Sequence, residues 1–436
     1  MSLEIPDRVL AAAANQPESV GKEVHLRGWI HRTRSSGGIL FLLVKDASGQ
    51  IQVTARKDLL GAEAFARAEK ALVESAVEVE GTVHADPRAP GGQEVRARRV
   101  EVVHAAEVFP IFSGQTEEFL LDHRHLSIRS AEMVATFRVK AEVMRAAREY
   151  LDESGYWEMT PPILTGNAAE GGAEAFVLDY FGTPAYLSQT AQLYLEALLF
   201  PLEKVYAFTP SFRAEKSRTP RHLTEFTHLE AELAWADLED NLRLQEGLVA
   251  HIAQRVAEAR AADLRVLGRD PKDLRAIQAP FPRMRYEEAI RILAEKGFPI
   301  TFGSDLGTAE ERALTQDRAG PLFVTHFPKA VKAFYMLESP HDPRTVECAD
   351  LLAPEGYGEI IGGSCRETDL ERLTQRLTAT GARPEDYAWY LDLRRYGSVP
   401  HAGFGLGIER VVRWIARREH IRDTTPFPRT PSRVTP

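Results

Sequence analysis

From residue 23 onward, apolar and polar positions alternate along the chain with a period of two. Glu23-Val24-His25-Leu26-Arg27-Gly28-Trp29-Ile30 has this alternation, and Gln50-Ile51-Gln52-Val53-Thr54 repeats it. Between them, Gly38 to Val44 is a nearly unbroken apolar run. Period two predicts strands, and the apolar run predicts a buried one. A helix-like stretch follows over 58–72, then strand patterns at Ala76–Val83 and Glu94–Val103. Five strands with one helix between the third and fourth predict an OB-fold β-barrel. Residues 104–130 hold neither period for long and read as a hinge, ending in Leu121-Asp122-His123-Arg124-His125-Leu126. A long amphipathic helix is predicted over Phe137–Ser154, followed by Gly155-Tyr156-Trp157-Glu158-Met159-Thr160-Pro161. Helices and strands then mix without a regular βαβ alternation. The expected fold class is therefore α+β, with an antiparallel sheet rather than a parallel one in residues 131–436.

Composition narrows this only slightly. A chain of 436 residues has room for two or three domains, and 44% hydrophobic residues suit a packed protein. No apolar run approaches the roughly eighteen residues of a membrane span. The first residues include Glu4 and Asp7 and lack a basic segment ahead of an apolar core, which gives no secretion signal. Cys348 and Cys365 are the only cysteines, too few for a disulfide framework or a zinc site. The expected location is cytoplasmic. The net charge of −9 argues against nonspecific nucleic-acid binding. Residues 1–101 carry 14 basic and 14 acidic side chains, so the whole deficit lies in the remainder. Any RNA would be held by local patches.

The densest candidate chemistry lies between Phe212 and Glu230. Arg213, Glu215, Lys216, Arg218, Arg221 and His222 fall between two apolar runs, with Phe212 and Phe226 framing them. Arginines grip phosphate oxygens with a planar fork of donors, aromatic faces stack on bases, and carboxylates accept from exocyclic amines. Taken alone, the loop suits a salt-bridged hairpin as well as a nucleotide site. A second feature is Gly403-Phe404-Gly405-Leu406-Gly407-Ile408-Glu409-Arg410, running into the helical pattern Val411–Ile415. Its glycine spacing fits neither the dinucleotide fingerprint nor a P-loop. Alternating glycines predict close backbone approach.

Phe-Arg-x-Glu with a downstream Arg-His-x-x-Glu-Phe resembles motif 2 of the class II aminoacyl-tRNA synthetases. Gly-x-Gly-x-Gly-x-x-Arg resembles their motif 3, and the 137–161 segment resembles motif 1. The likeness runs over essentially the whole chain. It lies in the aspartyl, asparaginyl and lysyl branch and is nearest the compact, archaeal-like asparaginyl members. Tyr186–Glu196 and Leu393–His401 carry it as well. The barrel then implies an anticodon-binding domain at 1–103, with the hinge at 104–130 and a catalytic domain at 131–436.

The resemblance implies ATP and Mg²⁺ as cofactors, asparagine and tRNA(Asn) as partners, and a homodimer built on motif 1. It implies that Arg213 holds the amino acid carboxylate and the α-phosphate, and that Arg410 lies on the γ-phosphate. Glu215 would accept from the adenine amine, Phe226 would stack on the ring, Arg221 and His222 would meet the outer phosphates, and Glu359 would also lie at the ATP. Asp350 and Glu359 match the metal-facing carboxylates, although surface charge at a strand end also fits them. For the amino acid, the resemblance implies Glu170, Gln192, Arg213, Glu230 and Arg366. Leu195 stands where aspartyl enzymes carry a lysine, and Glu230 where they carry an aspartate. A pocket with Arg366 as donor and Glu230 as acceptor suits an amide better than a second carboxylate. In the barrel, Phe41 matches an aromatic that stacks on an anticodon base, with Arg32, Arg34 and Gln52 beside it. Plain core packing is the other reading of Phe41. Three rivals stand beside this one: an aspartyl enzyme, an asparagine-forming amide ligase on the same fold, and a noncatalytic RNA-binding paralogue.

Overall fold

The computed structural model describes residues 8–167, 174–216 and 219–436. The chain divides into two units, residues 1–117 and 118–436. In the first, β1 (Glu23–Ser36), β2 (Ile39–Lys45), β3 (Gln50–Arg56), β4 (Ala76–Ala85) and β5 (Gln93–His104) close into a barrel in the order β1-β2-β3-β5-β4. The helix expected between the third and fourth strands is split into Lys57–Leu60 and Ala62–Lys70 by Gly61, whose φ is +82°. Leu26, Ile30, Leu40, Leu42, Val44, Ile51, Val53, Val79 and Val95 fill the interior. The apolar run at 38–44 is not buried throughout. Leu40, Leu42 and Val44 point inward, while Phe41 and Leu43 are half-buried on the outer face. Its outward apolar positions hide the period of two that its backbone obeys.

The second unit is built on an eight-stranded sheet. Its strands are β6 (Trp157–Glu158), β10 (Lys204–Phe212), β11 (Glu225–Ala234), β12 (Arg283–Arg285), β13 (Leu322–Thr325), β14 (Cys348–Ala353), β15 (Gly358–Cys365) and β16 (His401–Gly407). They run in the order β12-β13-β14-β15-β16-β11-β10-β6. Only the β6–β10 and β12–β13 pairs are parallel. A small sheet of β7 (Leu164–Thr165), β8 (Val177–Tyr180) and β9 (Thr183–Leu187) lies apart from it.

The long helix spans Ala131–Glu153, six residues earlier than its apolar pattern announces. Ser130 caps it by accepting from the Met133 amide, a stronger start signal than the first large apolar residue. Its Val139, Val143, Ala146, Ala147 and Leu151, spaced by three and four, pack with Leu248, Ile252 and Val256 of the Leu238–Ala259 helix. These helices and Ile408–Ile415 share one core with Leu229, Ala231 and Leu233 of β11 and with Ala402, Phe404 and Leu406 of β16. Strand alternation therefore sends the intervening residues of β11 and β16 to the opposite face. Residues from 118 onward pack within this unit. Arg124 is buried and donates to the carbonyls of Arg422, Thr425 and Pro426.

Candidate active site

The face opposite that core carries the chemistry. On β11, Phe226, His228, Glu230 and Glu232 alternate with Leu229, Ala231 and Leu233. The neighbouring β16 presents Gly407, Gly405 and Gly403 opposite His228, Glu230 and Glu232. A Cβ at Gly403 would lie 2.2 Å from the Glu232 carboxyl carbon, and one at Gly405 would lie 2.4 Å from His228 Nε2. The glycine string therefore leaves room for side chains of the adjacent strand, whose backbone lies close beside it.

Two adjoining cavities open on this face. The first is lined by Arg213, Glu215, Arg221, His222, Phe226, Glu359 and Arg410, among others. These are all seven residues expected at the nucleotide. The Arg213 guanidinium carbon lies 5.6 Å from the Phe226 ring centroid. Arg410 donates to Glu359 at 2.8 Å, and Arg221 pairs with Glu311. Burial, with Arg410 and Arg221 close by, pulls the His222 imidazole down to about 4. Burial pushes Glu311 up to about 7 although Arg221 opposes it.

The second cavity is lined by Gln192, Arg213, Glu230, Arg366, Asp350 and Glu359, together with Thr190, His228, Lys332 and Tyr335. Arg213, His228, Glu359 and Gly405 belong to both cavities. Arg366 is clamped from behind: its Nε donates to Glu232 at 3.2 Å, its Nη2 pairs with the same carboxylate, and its Nη1 donates to Ser364 at 2.8 Å. Burial opposes the charge of Arg366, but Glu232 and Glu196 outweigh it. Glu230 accepts from the Thr190 hydroxyl and, at 2.7 Å, from the Ala191 amide. Leu195 lies outside this cavity, fully buried among Ala191, Leu199, Val205 and Ala207.

Asp350 and Glu359 are not surface charge at strand ends; both face the cavities. Lys332 donates to Asp350 Oδ2 at 2.6 Å, and Arg410 holds Glu359 Oε2. The other oxygens, Asp350 Oδ1 and Glu359 Oε1, converge over Gly362, 3.6 and 3.3 Å from where its Cβ would stand. Burial pushes Asp350 up to about 6, with Lys332 opposing and Glu359 reinforcing. Burial pushes Glu359 the same way, but Arg410, Lys332 and Arg221 hold it down at about 2.

On the barrel, Arg32, Arg34, Phe41 and Gln52 line one outer pocket with Asp86 and Arg88. Register places Arg34 opposite Phe41 and Leu43 opposite Gln52, and Arg34 lies 5.8 Å from the Phe41 ring centroid. Phe41 is thus outside the barrel core. Glu170 lies outside the described residues.

Residues 116–431 match the model for tRNA synthetases class II (D, K and N), and residues 24–103 match that for the OB-fold nucleic acid binding domain. The chain belongs to the class II aminoacyl-tRNA synthetases. It is 53% identical over 431 residues to the asparagine–tRNA ligase of Thermococcus kodakarensis, covering 99% of this chain and all of that protein. It is 48% identical to the asparagine–tRNA ligase of Chloroflexus aurantiacus, covering 98% of this chain and 99% of the relative. Its structure matches asparaginyl-tRNA synthetase from Pyrococcus horikoshii complexed with asparaginyl-adenylate at a TM-score of 0.96 and 50% identity, covering 99% and 100% of the two chains.

His228, Glu232, Lys332 and Glu311 line or brace these cavities in the synthetase and were not among the expected residues. Glu232 and His228 were legible in the alternation His228-x-Glu230-x-Glu232, which puts all three on one strand face. Lys332 and Glu311 had no such signal, since their partners lie 18 and 90 residues away.

Proposed function

We propose that this chain joins asparagine to tRNA(Asn) in two steps, forming asparaginyl-adenylate from ATP and then transferring the asparaginyl group to a hydroxyl at the 3′ end of the tRNA with release of AMP. The reading rests chiefly on Arg213, which belongs to both cavities and so can hold an amino acid carboxylate beside an α-phosphate. Carboxylate attack at that phosphorus forms the acyl–phosphate bond and expels pyrophosphate. Arg213 holds both reacting groups together, and Arg410, Arg221 and His222 face the outer phosphates. Phe226 stacks on the adenine and Glu215 accepts from its amine. Glu230 accepts from the asparagine amide, and Arg366, held rigid by Glu232, donates to its carbonyl.

The converging free oxygens of Asp350 and Glu359 fit a divalent cation, which would relieve their mutual repulsion. Mg²⁺ bound there would supply charge neutralisation on the phosphates. Incubating the synthetase with tRNA, ATP and radiolabelled asparagine tests this function: label should pass to tRNA, and its absence with active tRNA would refute the reading.

The barrel, residues 1–103, is proposed as the anticodon-binding domain, joined through 104–130 to a catalytic domain at 131–436. Phe41 stacks on an anticodon base there, with Arg32, Arg34 and Gln52 around it. Phe41→Ala should raise the KM for tRNA about five- to hundredfold, the worth of one stacked base, while leaving pyrophosphate exchange unchanged. Equal losses in the two assays would make Phe41 a folding residue instead. The synthetase is also proposed to act in the cytoplasm as a homodimer joined through motif 1. Supporting this, β6 is an edge strand whose Trp157 is 59% exposed. Sedimentation at micromolar concentration should give twice the 48.7 kDa chain mass. A species at the single-chain mass would exclude the dimer.

A further inference from the structure

Glu196 lies under the second cavity, 1% exposed and outside its lining. Its carboxylate accepts from Gln192, Tyr390 and Arg394 and lies beside His401. Oε1 accepts from Gln192 Nε2 at 3.0 Å and from the Tyr390 hydroxyl at 2.9 Å. Oε2 accepts from Arg394 Nη2 at 2.7 Å and lies 3.2 Å from His401 Nε2. Burial works against ionisation, but Arg394 and His401 outweigh it and hold Glu196 well below the usual carboxylate range. An ionised carboxylate only accepts hydrogen bonds. The Gln192 amide must therefore turn its nitrogen toward Glu196, and its carbonyl oxygen becomes the end offered to the cavity. Gln192 and Glu196 are four residues apart on the Gln192–Leu202 helix, the spacing that brings side chains together on one face.

We propose that Glu196 is a positioning residue: it locks Gln192 with its carbonyl oxygen aimed at the α-ammonium of the bound amino acid. This rests on the reading that the second cavity holds asparagine. An unlocked glutamine amide offers either end, and the nitrogen end repels an ammonium. The lock removes that alternative, and the negative charge behind the amide strengthens its oxygen as an acceptor. Glu196 would thus act on amino-group recognition without touching the substrate.

The test compares asparagine with succinamate, which is asparagine without its α-amino group. Binding of both is measured by calorimetry on the full-length synthetase, beside the KM values for asparagine and ATP in pyrophosphate exchange. Two variants are used. Glu196→Gln keeps the shape and loses the charge. Glu196→Asp keeps a charge beside Arg394 and His401 but withdraws the acceptor from Gln192. In each, the preference for asparagine over succinamate should fall at least about tenfold, the scale of one charge-assisted hydrogen bond. Succinamate affinity and the KM for ATP should stay within about twofold, which general loosening of the site would not allow. If Gln192 is already replaced by Met, Glu196→Gln should cause no further loss of preference. A folded Glu196 variant that keeps the wild-type preference overturns the proposal. A wild-type enzyme with no preference for asparagine over succinamate would instead overturn the reading of the cavity itself.

Discussion

Arg213→Ala and Arg410→Ala are each expected to lower asparagine-dependent pyrophosphate exchange about 10²–10³-fold, the usual worth of one fixed donor at developing charge. Arg213 lines both cavities, so its loss should also weaken asparagine binding. Arg410 contributes to one cavity only and pairs with Glu359 at 2.8 Å. Its loss should raise the KM for ATP and spare asparagine binding. Thermal melting should show both variants folded, because neither side chain belongs to the hydrophobic core. Near-normal exchange in Arg213→Ala would show that the loop after β10 does not handle the reacting groups.

The second large effect concerns Glu230. Replacing Leu195 by lysine to mimic aspartyl enzymes is a poor test, because Leu195 is buried among apolar side chains and an ammonium there would lack a partner. Glu230→Gln addresses the pocket directly. It keeps the shape but removes the charge that opposes a second carboxylate. The ratio of kcat/KM for asparagine over aspartate should fall on the order of 10²-fold or more, the scale on which a buried polar group left unpaired discriminates. Stability should fall as well, by about 1 kcal/mol, because Thr190 and the Ala191 amide lose a charged acceptor. An unchanged ratio in a folded Glu230→Gln enzyme would move discrimination elsewhere in the pocket.

The barrel and the mixed second unit were legible because strand alternation and motif order are local signals. Six of the seven residues expected at the nucleotide fell into one cavity for the same reason: residues 213–226 and the segment after β16 are each continuous in sequence, while Glu359 comes from β15. What stayed hidden was relational. Gly403 and Gly405 serve Glu232 and His228 on a neighbouring strand, and only the β11–β16 register makes this visible. Phe41 hid in an apolar run because outward apolar residues blur a period of two. Arg366 was expected as a donor, but Glu232, 134 residues away, which holds its guanidinium, carried no signal toward it. Asp350 and Glu359 likewise depend on Lys332 and Arg410 to fix which of their oxygens stay available.

The most direct measurement is the kcat/KM of wild-type enzyme for asparagine and for aspartate in pyrophosphate exchange, under identical ATP and Mg²⁺. With Glu230 lining the second cavity and Arg366 already paired to Glu232, asparagine should exceed aspartate by at least about 10²-fold. Equal values, or a preference for aspartate, would contradict the account.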